Sequence, residues 1–279
     1  LQRLLGEVGE AETSAKKALD LDPQCVLALE TFGYCRIKDK AFEEGEAAYV
    51  KARDLAPMRV EPLVGLAFAL IMRGQHEEAK DILDDALKLD KKHLDANLKM
   101  GVTLFVLSKF KTARKHLELV LKQDEDNITA LRHLGYVHLA SGKGKDALKV
   151  LNRAFDLDLD DAKTARMIGR AYSELGKDDE ALGMYERAVD LDGADPWAHF
   201  DRGKCLDERG EFQEAKDAYE KAIGLDPKLS WPHLYLAEIY DEVDDDPEMA
   251  LEHYRAYLEL GGPDKDEAIA DRIDQLTED

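Results

Sequence analysis

Cysteine, glycine and proline are scarce in this sequence. It has three cysteines, Cys25, Cys35 and Cys205, and an odd number cannot complete a disulfide framework. Their spacing also fits none of the paired Cys and His motifs of zinc sites. Glycine and proline number 19 and 8 among 279 residues, which is too few for collagen or a low-complexity linker. We therefore expect no disulfide framework, no structural zinc, and a reducing, cytoplasmic compartment.

Long apolar runs and an excess of positive charge are missing as well. No stretch approaches the roughly 18 apolar residues that a membrane-spanning helix needs. No signal peptide opens the chain, although a targeting segment could have preceded Leu1. Asp and Glu number 60 against 39 Lys and Arg, so the formal net charge is −21. Because phosphate backbones and anionic lipids attract cationic proteins, this balance argues against nucleic-acid and membrane partners.

What the sequence does contain is an internal period of 34 residues. The segments RAFDLDLDD, RAVDLDGAD and KAIGLDPKL begin at Arg153, Arg187 and Lys221, and KALDLDPQC begins four periods before the first of them, at Lys17. Continued along the chain, the period gives the second part of a truncated repeat, seven full repeats and a terminal segment. The predicted boundaries are 1–25, 26–59, 60–93, 94–127, 128–161, 162–195, 196–229, 230–263 and 264–279.

Each repeat predicts two amphipathic helices and no strand. In repeat 128–161, apolar residues recur every three to four positions on both sides of a helix breaker at 141–144. A small residue stands at the eighth position of every repeat, and a large one at the 24th position of the first six. Small side chains let helices approach closely, and small against large is how packed units interlock. The small residues are Gly33, Ala67, Gly101, Gly135, Gly169, Gly203 and Ala237, and the large ones are Tyr49, Leu83, Leu117, Leu151, Tyr185 and Tyr219.

This pattern resembles the tetratricopeptide repeat family over essentially the whole chain. Further residues that carry the resemblance are the turn glycines Gly74, Gly142, Gly176 and Gly210 and the prolines Pro23, Pro57 and Pro227. The resemblance implies an all-α fold, a right-handed superhelical solenoid of antiparallel helix pairs whose first helices line a concave groove. It also implies a C-terminal capping helix over 264–279, which would keep the apolar face of the last repeat from water.

The groove that the resemblance implies would have an apolar zone, a basic zone and an aromatic zone with acidic neighbours. We predict that its apolar and aromatic residues anchor a peptide and that its basic residues read an acidic group. For the apolar zone, the alternative is ordinary core between repeats. The predicted groove residues are Tyr34, Phe68, Met72, Lys99, Val102, Phe105, Arg132, His133, Tyr136, Lys163, Arg166, Arg170, Trp197 and Trp231.

The basic zone is informative because it runs against the overall charge of the chain. Arg166 and Arg170 are four residues apart on one helix face. Two neighbouring guanidinium groups suit a carboxylate or a phosphate, which they bind through paired hydrogen bonds. The alternative is that these arginines pair within the chain, with Glu174 or Asp201.

Signals for catalysis are absent from the sequence. The segment 142–145 lacks the GxxxxGK[ST] spacing of a phosphate loop, and the histidines form no HExxH motif. His138 is expected in the core, His133 in the groove, and Cys25 and Cys35 as small buried residues. We therefore expect no catalytic residue, no metal and no cofactor.

The sequence thus predicts a non-catalytic scaffold or adaptor that binds a peptide segment of another protein, with apolar anchors and an acidic group, in its concave groove. Two alternatives stay open. The chain could be the recruiting or regulatory domain of a larger enzyme. It could also be an assembly scaffold that forms homo-oligomers by docking a terminal segment of one chain in the groove of the next.

Overall fold

The computed structural model of the chain describes residues 2–261 and 267–278, and within them every regular element is an α-helix. The helices are α1 Gln2–Leu21, α2 Val26–Lys38, α3 Phe42–Leu55, α4 Glu61–Met72, α5 His76–Leu89, α6 Leu94–Val106, α7 Phe110–Leu121, α8 Ile128–Leu139, α9 Gly144–Leu157, α10 Ala162–Ser173, α11 Asp178–Leu191, α12 Pro196–Glu208, α13 Phe212–Leu225, α14 Trp231–Glu242, α15 Pro247–Glu259 and α16 Glu267–Glu278. Each predicted repeat contains two consecutive helices, so the prediction of an all-α fold built from helix pairs is confirmed.

The turn between the two helices of a repeat has a left-handed residue at its fifteenth position. Four repeats place glycine there, for example Gly74 with φ of 78°. Two repeats place a residue with a side chain in the same conformation, Lys40 with φ of 63° and Ser108 with φ of 57°. Glycine adopts this conformation without steric cost, whereas a Cβ atom is disfavoured there.

Small and large residues interlock between the first and second helices of four repeats, those that contain Gly33, Gly101, Gly169 and Gly203. A Cβ atom added to Gly203 in α12 would lie 2.7 Å from the ring of Tyr219 in α13, and one added to Gly169 would lie 2.7 Å from Tyr185. Tyr49 reaches into the next repeat as well, because a Cβ atom at Gly65 would lie 2.0 Å from its ring. The repeating small residues therefore mark places where an aromatic ring or Leu occupies the space of a side chain.

The contacts divide the chain into a first unit, residues 1–141, and a second unit, residues 142–279. In the first unit α2 contacts α4, α4 contacts α6 and α6 contacts α8, and in the second unit α10 contacts α12. The first helices of successive repeats therefore form one layer within each unit. That layer carries the side chains of the candidate site.

The C-terminal helix α16 covers the end of the second unit, as predicted. Its apolar residues Ile269, Ile273 and Leu276 pack against a cluster that includes Tyr254. Arg272 donates hydrogen bonds to both carboxylate oxygens of Asp241, at 2.6 and 2.8 Å. The part of the predicted terminal segment between α15 and α16 lies outside the described residues.

The expected burial of cysteine and histidine side chains is found for all but one of the residues named above. Cys35 and Cys205 are buried, and His138 is in the core as expected. The expectation for Cys25 is wrong, since it is half-exposed in the turn that precedes α2. In the part of the chain that the structure describes, no helix is both long and apolar enough to cross a membrane.

Candidate functional site

Two aromatic rings form the wall of a pocket in the first unit. Tyr34 in α2 and Phe68 in α4 are stacked with their ring centroids 6.2 Å apart. They line a cavity of about 350 Å³ together with Lys38, Glu30 and Lys99, and we call this the first-unit pocket. Tyr34 is 44% exposed although its ring is large and apolar. Successive first helices therefore bring two predicted anchor residues together at the surface.

Two lysines lie over these rings. The ammonium nitrogen of Lys38 is 5.4 Å from the centroid of Tyr34 and 5.6 Å from that of Phe68, and the Lys99 nitrogen is 5.2 Å from Phe68. Lys99 also pairs with Asp95, at 2.6 Å. Within the described residues Lys38 has no ion-pair partner, so its charge is free to meet an acidic group.

Lys38 was not among the predicted groove residues, although a signal for it existed. It stands at the thirteenth position of its repeat, a position at which the family resemblance places groove side chains, as it does for Met72 in the next repeat. Its neighbours in that zone are apolar, and Lys38 is the last residue of α2.

A second aromatic cluster in the first unit joins Phe105, His133 and Tyr136. Their ring centroids lie 5.4 to 6.3 Å apart. Burial, together with the positive charge of the neighbouring Arg132, lowers the pKa of His133 to about 4. His133 is therefore neutral at pH 7 and adds no positive charge to the basic zone.

The second unit has a pocket of its own, lined by four of the predicted residues. Arg166 and Arg170 from α10, Trp197 from α12 and Trp231 from α14 surround a cavity of about 330 Å³, which we call the second-unit pocket. Trp197 is 39% exposed and its ring packs edge-to-face on Phe200, with the centroids 5.8 Å apart. Aromatic side chains from successive first helices thus again line an open cavity.

The two arginines of this pocket differ in their surroundings. Arg166 Nη1 lies 3.1 Å from Asp201 Oδ2, and its Nε lies 3.5 Å from Asp195 Oδ2. Burial raises the pKa of Asp201, an effect that the charges of Arg166 and Arg170 oppose. Arg170 is exposed and has no ion-pair partner among the described residues. The internal-pairing alternative therefore holds for Arg166, and Arg170 alone is free to bind an anion.

The remaining predicted groove residues are accessible but are not joined to either pocket. Met72 is 49% exposed, Lys163 is exposed, and Val102 and Arg132 are half-buried. Every predicted groove residue is thus at least partly exposed, which favours a surface role over a core role. Their use in binding stays a prediction.

Three further carboxylates lie on α12 and α14, outside the lining of the second-unit pocket. Asp207 accepts a hydrogen bond from the hydroxyl of Tyr219 at 3.4 Å, and the Tyr219 ring stacks on Tyr235, with the centroids 5.6 Å apart. Glu238 and Glu242 follow Tyr235 on α14. Sequence analysis placed these residues in the aromatic and acidic zone but did not assign them to the site.

Metal-binding groups are not assembled anywhere in the part of the chain that the structure describes. No three His, Cys, Asp or Glu side chains come close enough to hold an ion. The fold is that of a repeat scaffold, which is typically non-catalytic.

Three family models described as tetratricopeptide repeat match the sequence, over residues 36–103, 126–194 and 166–230. Together these ranges cover more than half of the chain. No curated protein sequence matches it. Tetratricopeptide repeats mediate protein–protein interactions. The matched segments include α4 of the first-unit pocket and α10 and α12 of the second-unit pocket.

Solved structures show the same architecture. YrrB, described as a TPR protein with an unusual peptide-binding site, is 26% identical, with a TM-score of 0.53 over 64% of this chain and 93% of that one. A chain of the APC/C hetero-tetramer Cut9–Hcn1 is 14% identical, with a TM-score of 0.77 over 96% of this chain. This chain spans 52% of its length.

A third similar structure is that of PilF from Pseudomonas aeruginosa, at 18% identity. Its TM-score is 0.64, and the match covers 78% of this chain and 96% of that one. At such low identity the likeness to PilF and to Cut9–Hcn1 shows the fold alone. The family models, the paired helices and the interlocked small residues agree, and the chain belongs to the tetratricopeptide repeat family.

Proposed function

We propose that the chain is a non-catalytic scaffold that binds a peptide segment of another protein on the layer of first helices. The observation that supports it most is the pair of open pockets, one in each unit, whose walls are exposed aromatic side chains from successive first helices. Exposed apolar patches of this kind mark interaction surfaces. YrrB, with its peptide-binding site, has the same repeat architecture.

The partner segment has apolar anchors and an acidic group. Burying one large apolar side chain contributes roughly 1.5–3 kcal/mol. Two or three such anchors with one charge-assisted contact reach micromolar affinity, about 8 kcal/mol, once the costs of association are subtracted. Lys38 in the first-unit pocket and Arg170 in the second-unit pocket are the unpaired cations that suit the acidic group.

The test uses short random peptides displayed on phage and selected on the immobilised full chain. A selected peptide is then measured by fluorescence anisotropy against Phe68→Ala, Tyr136→Ala and a control, Lys51→Ala, which changes an exposed residue of the second helix α3. We expect each aromatic substitution to weaken binding by about five- to thirtyfold and the control by less than about twofold. Equal effects of all three substitutions would show that the peptides bind elsewhere.

A further inference from the structure

One face of α2 presents an acid, a ring and a base in order along the first-unit pocket. Glu30, Tyr34 and Lys38 follow one another at intervals of four residues, so their side chains lie on the same face of the helix. All three line the cavity. The pocket therefore has opposite charges on the two sides of its aromatic wall.

The carboxylates of the pocket are only partly neutralised within the described residues. Glu30 and Glu61 both line the cavity, and we call them the acidic end of the first-unit pocket. Both contact Arg59, whose Nη2 lies 3.4 Å from Glu30 Oε2 and whose Nε lies 3.3 Å from Glu61 Oε2. One guanidinium charge is thus shared by two carboxylates.

Glu30 is buried beyond what its place in the helix explains. Glu61 stands in the first turn of α4, where the helix dipole favours an acidic residue, but Glu30 lies in the second turn of α2. Its side chain is 11% exposed, and in the described part of the chain its Oε1 atom is buried without a hydrogen-bond partner. Burial raises the pKa of this carboxyl group, although Arg59 opposes the rise.

A buried acceptor without a donor is costly, so a donor that a ligand brings to Glu30 would be bound favourably. The last torsion of a glutamate side chain is broad, and a rotation about it turns Oε1 towards the cavity. Among N–H donors, a guanidinium or ammonium group also neutralises the charge that Arg59 leaves uncompensated. The acidic end therefore suits an arginine or lysine side chain.

The other end of the same face has a free cation. Lys38 has no ion-pair partner within the described residues, and its nitrogen lies 5.4 Å from the ring centroid of Tyr34 and 5.6 Å from that of Phe68. The second lysine of the pocket, Lys99, is paired with Asp95. Glu30 and Lys38 are eight residues apart, which separates their backbone positions by about 12 Å along the helix.

We propose that the first-unit pocket binds a segment in which a basic and an acidic residue flank an apolar anchor. The basic side chain lies at the acidic end, the anchor lies on the two stacked rings, and the acidic side chain lies at Lys38. An extended chain advances about 3.3 Å per residue, so the two charged residues are about three or four positions apart. This inference rests on the proposed function and adds to it the basic residue and the spacing.

The experiment first assigns peptides to this pocket. Short random peptides displayed on phage are selected on the full wild-type chain, and those whose binding Phe68→Ala weakens about fivefold or more are kept. Their affinities are then measured by fluorescence anisotropy for Glu30→Gln, Glu61→Gln and Lys38→Gln. The matched controls are Glu43→Gln and Lys51→Gln, at exposed positions of α3.

Circular dichroism and thermal unfolding check that each variant is folded. Glu61 is exposed, so Glu61→Gln tests the acidic end even if Glu30→Gln does not fold. Each kept peptide is also made with its basic residue, or its acidic residue, replaced by glutamine.

We expect the kept peptides to contain Arg or Lys about three or four positions from Asp or Glu. Replacing the basic residue should weaken binding to the wild-type chain and to both controls by about three- to tenfold, and should have a smaller effect on Glu30→Gln and Glu61→Gln. Replacing the acidic residue should likewise have a smaller effect on Lys38→Gln. Higher salt should reduce all of these differences.

Two results would overturn the inference, and they differ from each other. Kept peptides without a basic residue, or a loss on its replacement that is equal in the wild-type chain and in the variants of the acidic end, would contradict the charge order while leaving peptide binding intact. Failure to select any peptide that depends on Phe68 would contradict the proposed function at this pocket, and the inference with it.

Discussion

The Nδ1 atoms of His233 in α14 and His253 in α15 lie 2.9 Å apart. At this distance one imidazole donates its proton and the other accepts it, so the two facing nitrogens share one proton. The ring of Tyr240 stacks on His253 with the planes 5° apart and the centroids separated by 5.6 Å. The pair is therefore part of the packing between the two helices of the last repeat.

Because of this histidine pair, the free energy of unfolding of the second unit should decrease in acid. Burial lowers the pKa of both histidines in the fold, and His253 lowers that of His233 further, whereas the charge of Glu252 acts in the opposite direction on both. The unfolded chain then binds more protons below about pH 6.5, so the stability falls as the pH drops from about 7 to 5. Urea unfolding followed by tryptophan fluorescence measures it, because both tryptophans, Trp197 and Trp231, lie in the second unit.

The control is His253→Gln, which removes one partner of the shared proton. In this variant the dependence of stability on pH should be smaller over the same range. An unchanged dependence would mean that other groups, such as Glu220 beside His253, determine the pH response.

His133 should titrate far below an ordinary histidine. Its pKa of about 4 results from burial beside Phe105 and Tyr136. The native state then resists protonation that the unfolded chain accepts, and the first unit loses stability as the pH falls from about 6.5 towards 4. Imidazole carbon shifts recorded by NMR across this range measure the pKa, and a midpoint near 6.5 would contradict the prediction.

The close approach of α12 and α13 predicts that Gly203→Ala is destabilising. The new Cβ atom would lie 2.7 Å from the Tyr219 ring and 3.3 Å from the carbonyl oxygen of Ala215, and Tyr219 is fully buried. We expect a loss of about 1–3 kcal/mol in the free energy of unfolding, the usual cost of overpacking. Urea unfolding of the second unit measures it.

Gly183→Ala is the matched control within the same unit. Gly183 lies in the middle of α11 with no atom near its added Cβ, so alanine should stabilise the helix by about 0.5–1 kcal/mol. Equal effects of the two substitutions would show that helix propensity, rather than the fit against Tyr219, determines the result.

Substitutions of Arg166 and Arg170 should have different effects, the first mainly on stability and the second mainly on peptide binding. The side chains of Arg166 and Asp201 are 17% and 12% exposed, so Arg166→Leu leaves a largely buried carboxylate without its cation and should cost about 1–3 kcal/mol. Arg170→Leu should leave the free energy of unfolding nearly unchanged and weaken the binding of a selected acidic peptide. Parallel urea unfolding and anisotropy measurements decide this, and a stability loss in Arg170→Leu as large as that in Arg166→Leu would refute it.

The substitution Ser108→Gly, in a turn of the first unit, should stabilise the chain. Ser108 holds a left-handed conformation that other repeats give to glycine, so Ser108→Gly should remove steric strain of about 1 kcal/mol, partly offset by the entropy of glycine in the unfolded chain. The substitution Ser14→Gly, at an exposed position inside helix α1 of the same unit, should instead destabilise. A lower melting temperature for Ser108→Gly than for the wild-type chain would contradict the expectation.

The repeat pattern was enough to predict the helices and their pairing, because side-chain volume at fixed positions determines how closely two neighbouring helices pack. Gly203 against Tyr219 is one such case. Charge pairing could not be predicted in the same way. Arg166 and Asp201 lie 35 residues apart, in different repeats, and which of two nearby carboxylates reaches a guanidinium depends on side-chain geometry.

The repeat period predicts which site residues lie close together, but it does not predict how deeply each one is buried. Tyr34 and Phe68 could be placed together from the period alone, since each stands at a groove position of its own repeat. The neutral state of His133 depends on how deeply its neighbours bury it, and this burial does not follow from the spacing of residues.

In each unit, the contacts of the described helices join elements that are adjacent or next but one along the chain. Folding of such a chain can begin at any pair of neighbouring helices, because no contact between distant segments is needed. Contacts that are local in sequence favour fast folding. It can also be lengthened or shortened by a whole 34-residue module at little topological cost. Evolution or an engineer could then change the number of anchoring sites while keeping the chemistry of each one.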